Sequence, residues 1–324
     1  MVFVTGGTGF LGAHLLFHLL EKGERVRALK RNSSNTNSPQ SMLNRIEWIE
    51  GDILDVYALD KMLEGISVIY HAAAVVSFQP ADSREMQNTN IKGTANLVNA
   101  ALDKKIKKLC HVSTIAAIGR AENDKPINEK TIWKSSKRNS NYAVSKYGAE
   151  KEVWRGIEEG LNAIIVNPAI ILGPGEINSG TGQMISTVLN GLKFYTPGIN
   201  GFVDVRDVAK IMIQLMESDI TGERFVVSAE NLSYKDFFNH ISKCLGKSAP
   251  RFEAKKWMGE IAWRIEHIKG LITNSKPLIT RETAKTANNT YIYSNKKLSE
   301  TLNFKFIPVA ESIKDSCEYF LKIR

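Results

Sequence analysis

Cysteine is scarce in this chain: Cys110, Cys244 and Cys317 are the only three among 324 residues. Their odd number, wide spacing and lack of any C-x-x-C pair exclude a disulfide framework and a thiolate zinc site, and point to reduced thiols in a cytoplasmic setting. Long apolar runs are also missing. None approaches the roughly 18 residues that cross a bilayer, and Val2 already belongs to a strand, so the expectation is a soluble protein with no secretory signal and no stable membrane insertion. Acidic residues are in deficit, 34 against 43 Lys and Arg, for a net charge of +9. A nucleic-acid partner is not expected, because the lysines are dispersed apart from Lys104-Lys105-Ile106-Lys107-Lys108, which reads as a solvated helix end before a strand. No internal repeat or low-complexity tract appears. With 43% hydrophobic residues, the length supports a sizeable core divided between one large and one smaller lobe.

What is present begins at the N-terminus. Val2-Phe3-Val4-Thr5-Gly6-Gly7-Thr8-Gly9-Phe10-Leu11-Gly12 reads as a buried strand breaking into a glycine-rich turn that opens a helix. Gly7, Gly9 and Gly12 fit G-x-G-x-x-G, a pattern that permits a tight turn, close backbone approach to a pyrophosphate and close helix–strand packing. The free amides and positive end of the following helix favour the bound anion. Residues 13–22 carry apolar positions at helical spacing, Gly23 stops them, and Arg25-Val26-Arg27-Ala28-Leu29 is the next strand, completing a βαβ unit. His14 and His18 stand four apart on that helix without a carboxylate or Cys at ligand spacing, so packing or surface roles are expected. Where NAD-preferring proteins place an acid for the ribose 2′-hydroxyl, this chain has Lys30 and Arg31. Two cations there suit a 2′-phosphate, Arg31 through a planar bidentate contact and Arg27 in support, so NADP(H) is the expected cofactor with NAD(H) as the alternative.

Strand and helix then alternate. Asn32 to Gln40 is a polar loop at the adenosine end; Ile46-Glu47-Trp48-Ile49-Glu50 is a strand ending at Gly51-Asp52-Ile53, where a carboxylate can meet the adenine amino group; a helix runs to Leu63. Ser67-Val68-Ile69-Tyr70 leads into His71-Ala72-Ala73-Ala74, whose small side chains allow the cofactor close to the backbone. Asn90 to Leu102 is expected to be a long helix. Lys108 to Val112 ends at Ser113-Thr114, and Ala163 to Val166 ends at Asn167-Pro168. The alternation predicts an α/β fold with a Rossmann-type doubly wound parallel sheet, ligands gathering at the carboxyl ends of its strands. The expected dinucleotide-binding domain is 1–170 plus about 201–228, the substrate lobe is discontinuous, about 171–200 plus 229–310, and 311–324 is a C-terminal helix.

Asn141 to Glu150 reads as a helix that puts Tyr142 and Lys146 on one face at i and i+4, the Y-x-x-x-K pattern. A free tyrosine titrates near 10, and an ammonium beside it lowers that value toward the working range. Taken with Thr5 to Gly12, Gly51-Asp52-Ile53, His71-Ala72-Ala73, Asn90-Ile91-Lys92-Gly93-Thr94, Val112-Ser113-Thr114, Asn167-Pro168 and Phe202-Val203-Asp204-Val205-Arg206-Asp207, the chain resembles, nearly end to end, the extended short-chain dehydrogenase/reductase superfamily, also called the NAD-dependent epimerase/dehydratase family. The resemblance implies Tyr142 as general acid/base, Lys146 as its electrostatic partner and a strand-end hydroxyl on the reacting oxygen, assigned to Thr114 with Ser113 as the fallback. It implies a cofactor site built from Thr5, Gly6, Gly7, Gly9, Phe10, Leu11, Gly12, Arg31, Asp52, Ile53, Ala72, Ala73, Ala74, Asn90, Ser113, Tyr142, Lys146, Asn167 and Pro168. His71 is an alternative base, although a residue beside such alanines more often supports the cofactor loop.

Two enzyme readings follow: a carbonyl reductase or alcohol dehydrogenase, and a nucleotide-sugar epimerase or dehydratase. Sugar-nucleotide members commonly carry Arg-Asp before the aromatic-valine step, and this chain has Asn200-Gly201 there, so the substrate is expected to be a small-molecule carbonyl or alcohol, with the resemblance leaning to the dihydroflavonol reductase branch. A non-catalytic NADP-binding regulator is the third reading, disfavoured by the Tyr/Lys pair. Trp257 to Ile268 is amphipathic; it suits an apolar substrate or lid, or equally a core-facing helix, ahead of a partner or membrane surface. A homodimer through helices beside the Tyr/Lys helix is common in the superfamily, with no independent sign of it in the sequence.

Overall fold

Every residue of β1 (Val2–Thr5) is buried, and its side chains divide by alternation: Val2 and Val4 join one hydrophobic layer and Phe3 the other. The structure is a computed structural model describing residues 1–34, 40–120, 125–136, 139–175, 180–273 and 280–323; the middle of the expected adenosine loop, 35–39, lies outside them. From β1 the chain continues through α1 (Phe10–Glu21), β2 (Val26–Lys30), α2 (Gln40–Leu43), β3 (Ile46–Glu50), α3 (Val56–Met62) and β4 (Val68–His71). It then forms α4 (Ser83–Met86), α5 (Gly93–Asp103), β5 (Lys108–Val112), α6 (Asn141–Glu158) and β6 (Ala163–Pro168). The strands β7 (Ile170–Leu172), β8 (Phe194–Tyr195) and β9 (Ile199–Asp204) enclose α7 (Gly180–Leu189). Next come α8 (Val205–Glu217), β10 (Glu223–Val227), β11 (Glu230–Ser233), α9 (Tyr234–Cys244) and β12 (Phe252–Glu253). The helices α10 (Lys256–Thr273), α11 (Arg281–Thr286), α12 (Lys296–Leu302) and α13 (Val309–Ile323) close the chain.

Seven strands form one parallel sheet in the order β10-β6-β5-β4-β1-β2-β3. Helices cover both faces, as an all-parallel sheet requires: α1 and α8 pack on the Val2/Val4 side, and α3, α5 and α6 on the Phe3 side. The strand order reverses beside β1, which opens a crevice at the carboxyl ends of β1 and β4. A smaller sheet, β11-β9-β7, carries the second lobe. There Leu172, Phe202, Phe237 and Ile241 pack with Ile313, Cys317 and Phe320 of α13, so the C-terminal helix is part of that core.

Three expectations change. The long helix expected from Asn90 starts earlier, at Ser83, and passes through a π-helical turn, Gln87–Lys92, before α5. Lys108 is not a solvated end: it is buried, and its ammonium donates to the carbonyls of Leu215 (2.7 Å) and Ser218 (2.5 Å) at the end of α8, where the helix dipole welcomes a cation. Finally, one apolar stripe of α10 does not face the core, since Trp257, Ile261, Ile265 and Ile268 are all exposed.

Candidate active site

The cradle is built by glycine. Gly6 has φ +75°, and a Cβ there would lie 2.6 Å from the Ala73 nitrogen at the end of β4. A Cβ on Gly12 would stand 2.0 Å from the Gly6 carbonyl oxygen. The turn closes by Gly9 N–H to Gly6 O at 3.0 Å, and the first intrahelical bond is Ala13 N–H to Gly9 O at 2.9 Å. No side chain caps α1, so the Phe10 and Leu11 amides precede any helical partner. A pyrophosphate fits this donor set, and any larger residue at Gly6 or Gly12 would fill the space that lets the turn approach. Leu11 itself is buried in the core, and Phe10 lies edge-on to His14, 5.6 Å between ring centres. The His14 Nε2 bonds the Pro174 carbonyl at 2.9 Å, a tie between α1 and the loop after β7; among the described residues no His/Cys/Asp/Glu cluster could hold a metal.

Behind the cradle runs a directed chain of hydrogen bonds. Ala73 N–H donates to Thr5 Oγ1 (3.2 Å), which meets His71 Nδ1 (2.7 Å); His71 Nε2 meets Thr94 Oγ1 (2.9 Å), whose proton goes to the Asn90 carbonyl (2.6 Å). Because the Thr94 proton is spent on Asn90, His71 donates through Nε2 and accepts through Nδ1, as a neutral ring. Burial, with the Lys146 charge nearby, pushes its pKa down to about 3. Thr5 and His71 therefore hold the backbone of Ala72 and Ala73 in place, and His71 is not a base. Asn90 is spent likewise: its amide bonds Val75 N (2.7 Å), Val75 O (2.9 Å) and Ser145 Oγ (2.9 Å). Ala72, Ala73 and Ala74 line the crevice half-buried.

On the other side of the crevice, α6 starts at Ser140, whose hydroxyl accepts the Ala143 N–H at 3.0 Å. The Thr114 hydroxyl lies beside the Tyr142 phenol and favours its ionised form, and the Phe78 ring stands edge-on to the phenol at 5.8 Å. Burial pushes the phenol up to about 12, against the lowering effect of Thr114. Lys146 is fully enclosed one turn on; its ammonium donates to Val112 O at 2.7 Å, and burial brings it down to about 8, opposed by the Glu150 charge. The expected lowering of the phenol by Lys146 is not the arrangement found: Thr114 is the partner of Tyr142, and desolvation prevails.

Ser113, the fallback hydroxyl, points elsewhere. It donates to Glu150 Oε2 (2.7 Å), which also receives Asn167 Nδ2 (2.9 Å), while Arg224 Nη1 reaches Glu150 Oε1 at 3.0 Å. Asn167 donates as well to the Thr114 carbonyl at 3.0 Å, and Pro168, the last residue of β6, sits in register with Val227. Glu150, Arg224 and Phe78 were not singled out from sequence. Only Glu150 left a trace, as the next helical step on the Tyr142/Lys146 face.

At the adenosine end, Arg27 is committed away from the ribose: it bonds Glu47 (2.8 Å) and the carbonyls of Met62 (2.8 Å) and Glu64 (2.9 Å), which removes it as a phosphate support. Lys30 pairs with Glu50 at 3.2 Å. Arg31 is exposed, and its guanidinium has no bond among the described residues. Asp52 is exposed and accepts Leu54 N–H at 2.9 Å, while Ile53 is buried against Gly93.

A parallel sheet with a glycine cradle at its reversal point and a Tyr/Lys helix beside it defines a dinucleotide-dependent α/β enzyme. The chain belongs to the NAD dependent epimerase/dehydratase family, whose model matches residues 2–228. It is an enzyme of the extended short-chain dehydrogenase/reductase type. A Synechocystis protein provisionally named dihydroflavonol 4-reductase is 31% identical over 98% of this chain and 94% of its own length. Cinnamoyl-CoA reductase 1 of Petunia hybrida is 27% identical over 75% of this chain and 77% of its own. Among solved structures, gox2253 matches with a TM-score of 0.84 at 30% identity, covering 100% of this chain and 98% of that one. The UDP-glucose 4-epimerase of Thermotoga maritima, at 21% identity over 99% of each chain, shares the fold with a TM-score of 0.80.

Proposed function

We propose that this protein reduces a small-molecule carbonyl with NADPH, NADH being the poorer donor, and that the substrate is held by a lobe made of about 171–200 and 229–310. The observation that carries the reading is the half-buried Tyr142 phenol set beside the Thr114 hydroxyl, with the buried Lys146 one helical turn behind. The amides after Gly9 would hold the pyrophosphate, Ala72 to Ala74 would flank the dinucleotide, Lys146 would bond the nicotinamide ribose and Arg31 the 2′-phosphate. The bound cofactor supplies the hydride. A phenol pushed up to about 12 stays protonated through the neutral range, so Tyr142 is poised to give its proton to the developing alkoxide rather than to take one, and Thr114 adds a second hydrogen bond to the same oxygen. Lys146 is cationic below about 8; its support for that charge is lost as pH rises through this value, so the rate falls on the alkaline side. The sugar-nucleotide reading is weaker because Asn200, where an arginine would meet a diphosphate, is buried with its amide on the Tyr234 hydroxyl at 3.3 Å.

The names of the relatives direct the test to aromatic carbonyls, dihydroflavonols and cinnamoyl thioesters. With whichever of these the protein reduces, Tyr142→Phe should lower turnover about a thousandfold and leave NADPH affinity, measured by fluorescence titration, nearly unchanged. Undiminished turnover in that variant overturns the assignment.

A further inference from the structure

The second lobe turns an apolar surface outward. Trp257, Ile261, Ile265 and Ile268 recur at i, i+4, i+8 and i+11 along α10, one stripe of a helix, and are 60%, 48%, 59% and 57% exposed. The opposite side of α10 faces α11: a Cβ on Gly259 would meet Ala284 Cβ at 3.6 Å. Gly259 thus lets the two helices come close, while the stripe faces outward. In the β8/β12 ribbon that precedes α10, Phe194 and Phe252 are also exposed, with ring centres 5.7 Å apart. Cations flank the stripe at the ribbon end: Arg251 and Lys255 are exposed beside Phe252, and Lys235 sits 5.2 Å over the Tyr195 ring, whereas Arg264 and Lys269 of α10 pair with Glu260 and Glu266. Among the described residues no helix is long and apolar enough to cross a membrane.

We propose that this face docks on an anionic lipid surface, α10 lying in the interface with the stripe among the upper acyl chains and the basic rim against the headgroups. Charge complementarity selects lipid over a second copy of the chain. A two-fold pairing of this face would set the same cationic rim against itself, whereas anionic headgroups neutralise the rim while the hydrocarbon accepts Trp257 and the isoleucines. The proposal is independent of the reaction catalysed at Tyr142.

The test is sedimentation of the full chain with vesicles of phosphatidylcholine alone and with about one third phosphatidylglycerol. Binding to the mixed vesicles is expected, weaker by about tenfold on neutral vesicles or in molar salt. The Ile261→Glu/Ile265→Glu variant should lose about tenfold or more in affinity, with its unfolding midpoint lowered only slightly because each side chain is already about half exposed. Arg251→Glu/Lys255→Glu, which leaves the stripe intact, should weaken binding to anionic vesicles alone. Failure of the wild-type chain to bind mixed vesicles overturns the proposal, as does binding that survives the Ile261/Ile265 change. Light scattering that shows a dimer dissolved by that change, with no vesicle binding, would assign the face to a second copy instead.

Discussion

Glu150 illustrates how much one buried carboxylate organises. It is satisfied by Ser113, Asn167, Arg224 and, at 3.4 Å, Trp154 Nε1, a degree of pairing that a charge with 2% side-chain exposure needs to be tolerated. Two of these donors belong to the strand ends around Thr114: Ser113 precedes it, and Asn167 also holds its carbonyl. The same negative charge opposes the burial that lowers Lys146. Glu150→Gln keeps the shape and removes the charge, so the Lys146 ammonium should release its proton more readily, and the alkaline decline in kcat/KM for carbonyl reduction should move down by about one pH unit. A profile unmoved in a variant that is merely less stable would confine Glu150 to folding.

At the scale of elements, the end of β2 shows selection by commitment. Register pairs Arg27 with Glu47 and Lys30 with Glu50 on β3, and both cations are taken by those neighbours. Arg31, one step past the strand, is left to project at the adenosine end. Replacing it with Asp should weaken NADPH binding by roughly tenfold to a hundredfold, the worth of a lost charge-assisted bond plus repulsion, and NADH binding far less. Equal losses, read by titrating each dinucleotide, would detach Arg31 from the phosphate. The glycine turn works on the same scale: its shape comes from the Gly6 φ and the missing Cβ of Gly12, while its position against β4 comes from the Thr5–His71–Thr94 chain.

For the molecule as a whole, the sheet interior is a store of neutral histidine. Burial holds His71 at about 3 and His111 well below the ordinary value. Unfolded chains take up a proton at each site below about 6.5 and the folded protein does not, so stability is full above 6.5 and is lost as pH falls from there toward 3, by roughly 1.4 kcal/mol per pH unit for each histidine at most. The urea midpoint should therefore drop steadily between neutral pH and pH about 4.5. His111→Phe, which removes one titrating ring from a site where neither nitrogen has a partner among the described residues, should flatten that slope. An unchanged slope would place the acid sensitivity elsewhere.

The sequence by itself determined what backbone chemistry and periodicity control: the glycine turn, the alternation of strands and helices that makes a parallel sheet, and Tyr142 and Lys146 on one helical face. Only the tertiary structure decided the rest. Glu150 and Arg224 lie 74 residues apart, and no local pattern announces such a pair. Asn90 and Arg27 have the right chemistry for ligand contact, yet packing consumes their bonds inside the protein. Apolar spacing along α10 defines a stripe but not its direction, because periodicity records which residues share a face, and the neighbours supplied by folding decide whether that face meets the core or the outside.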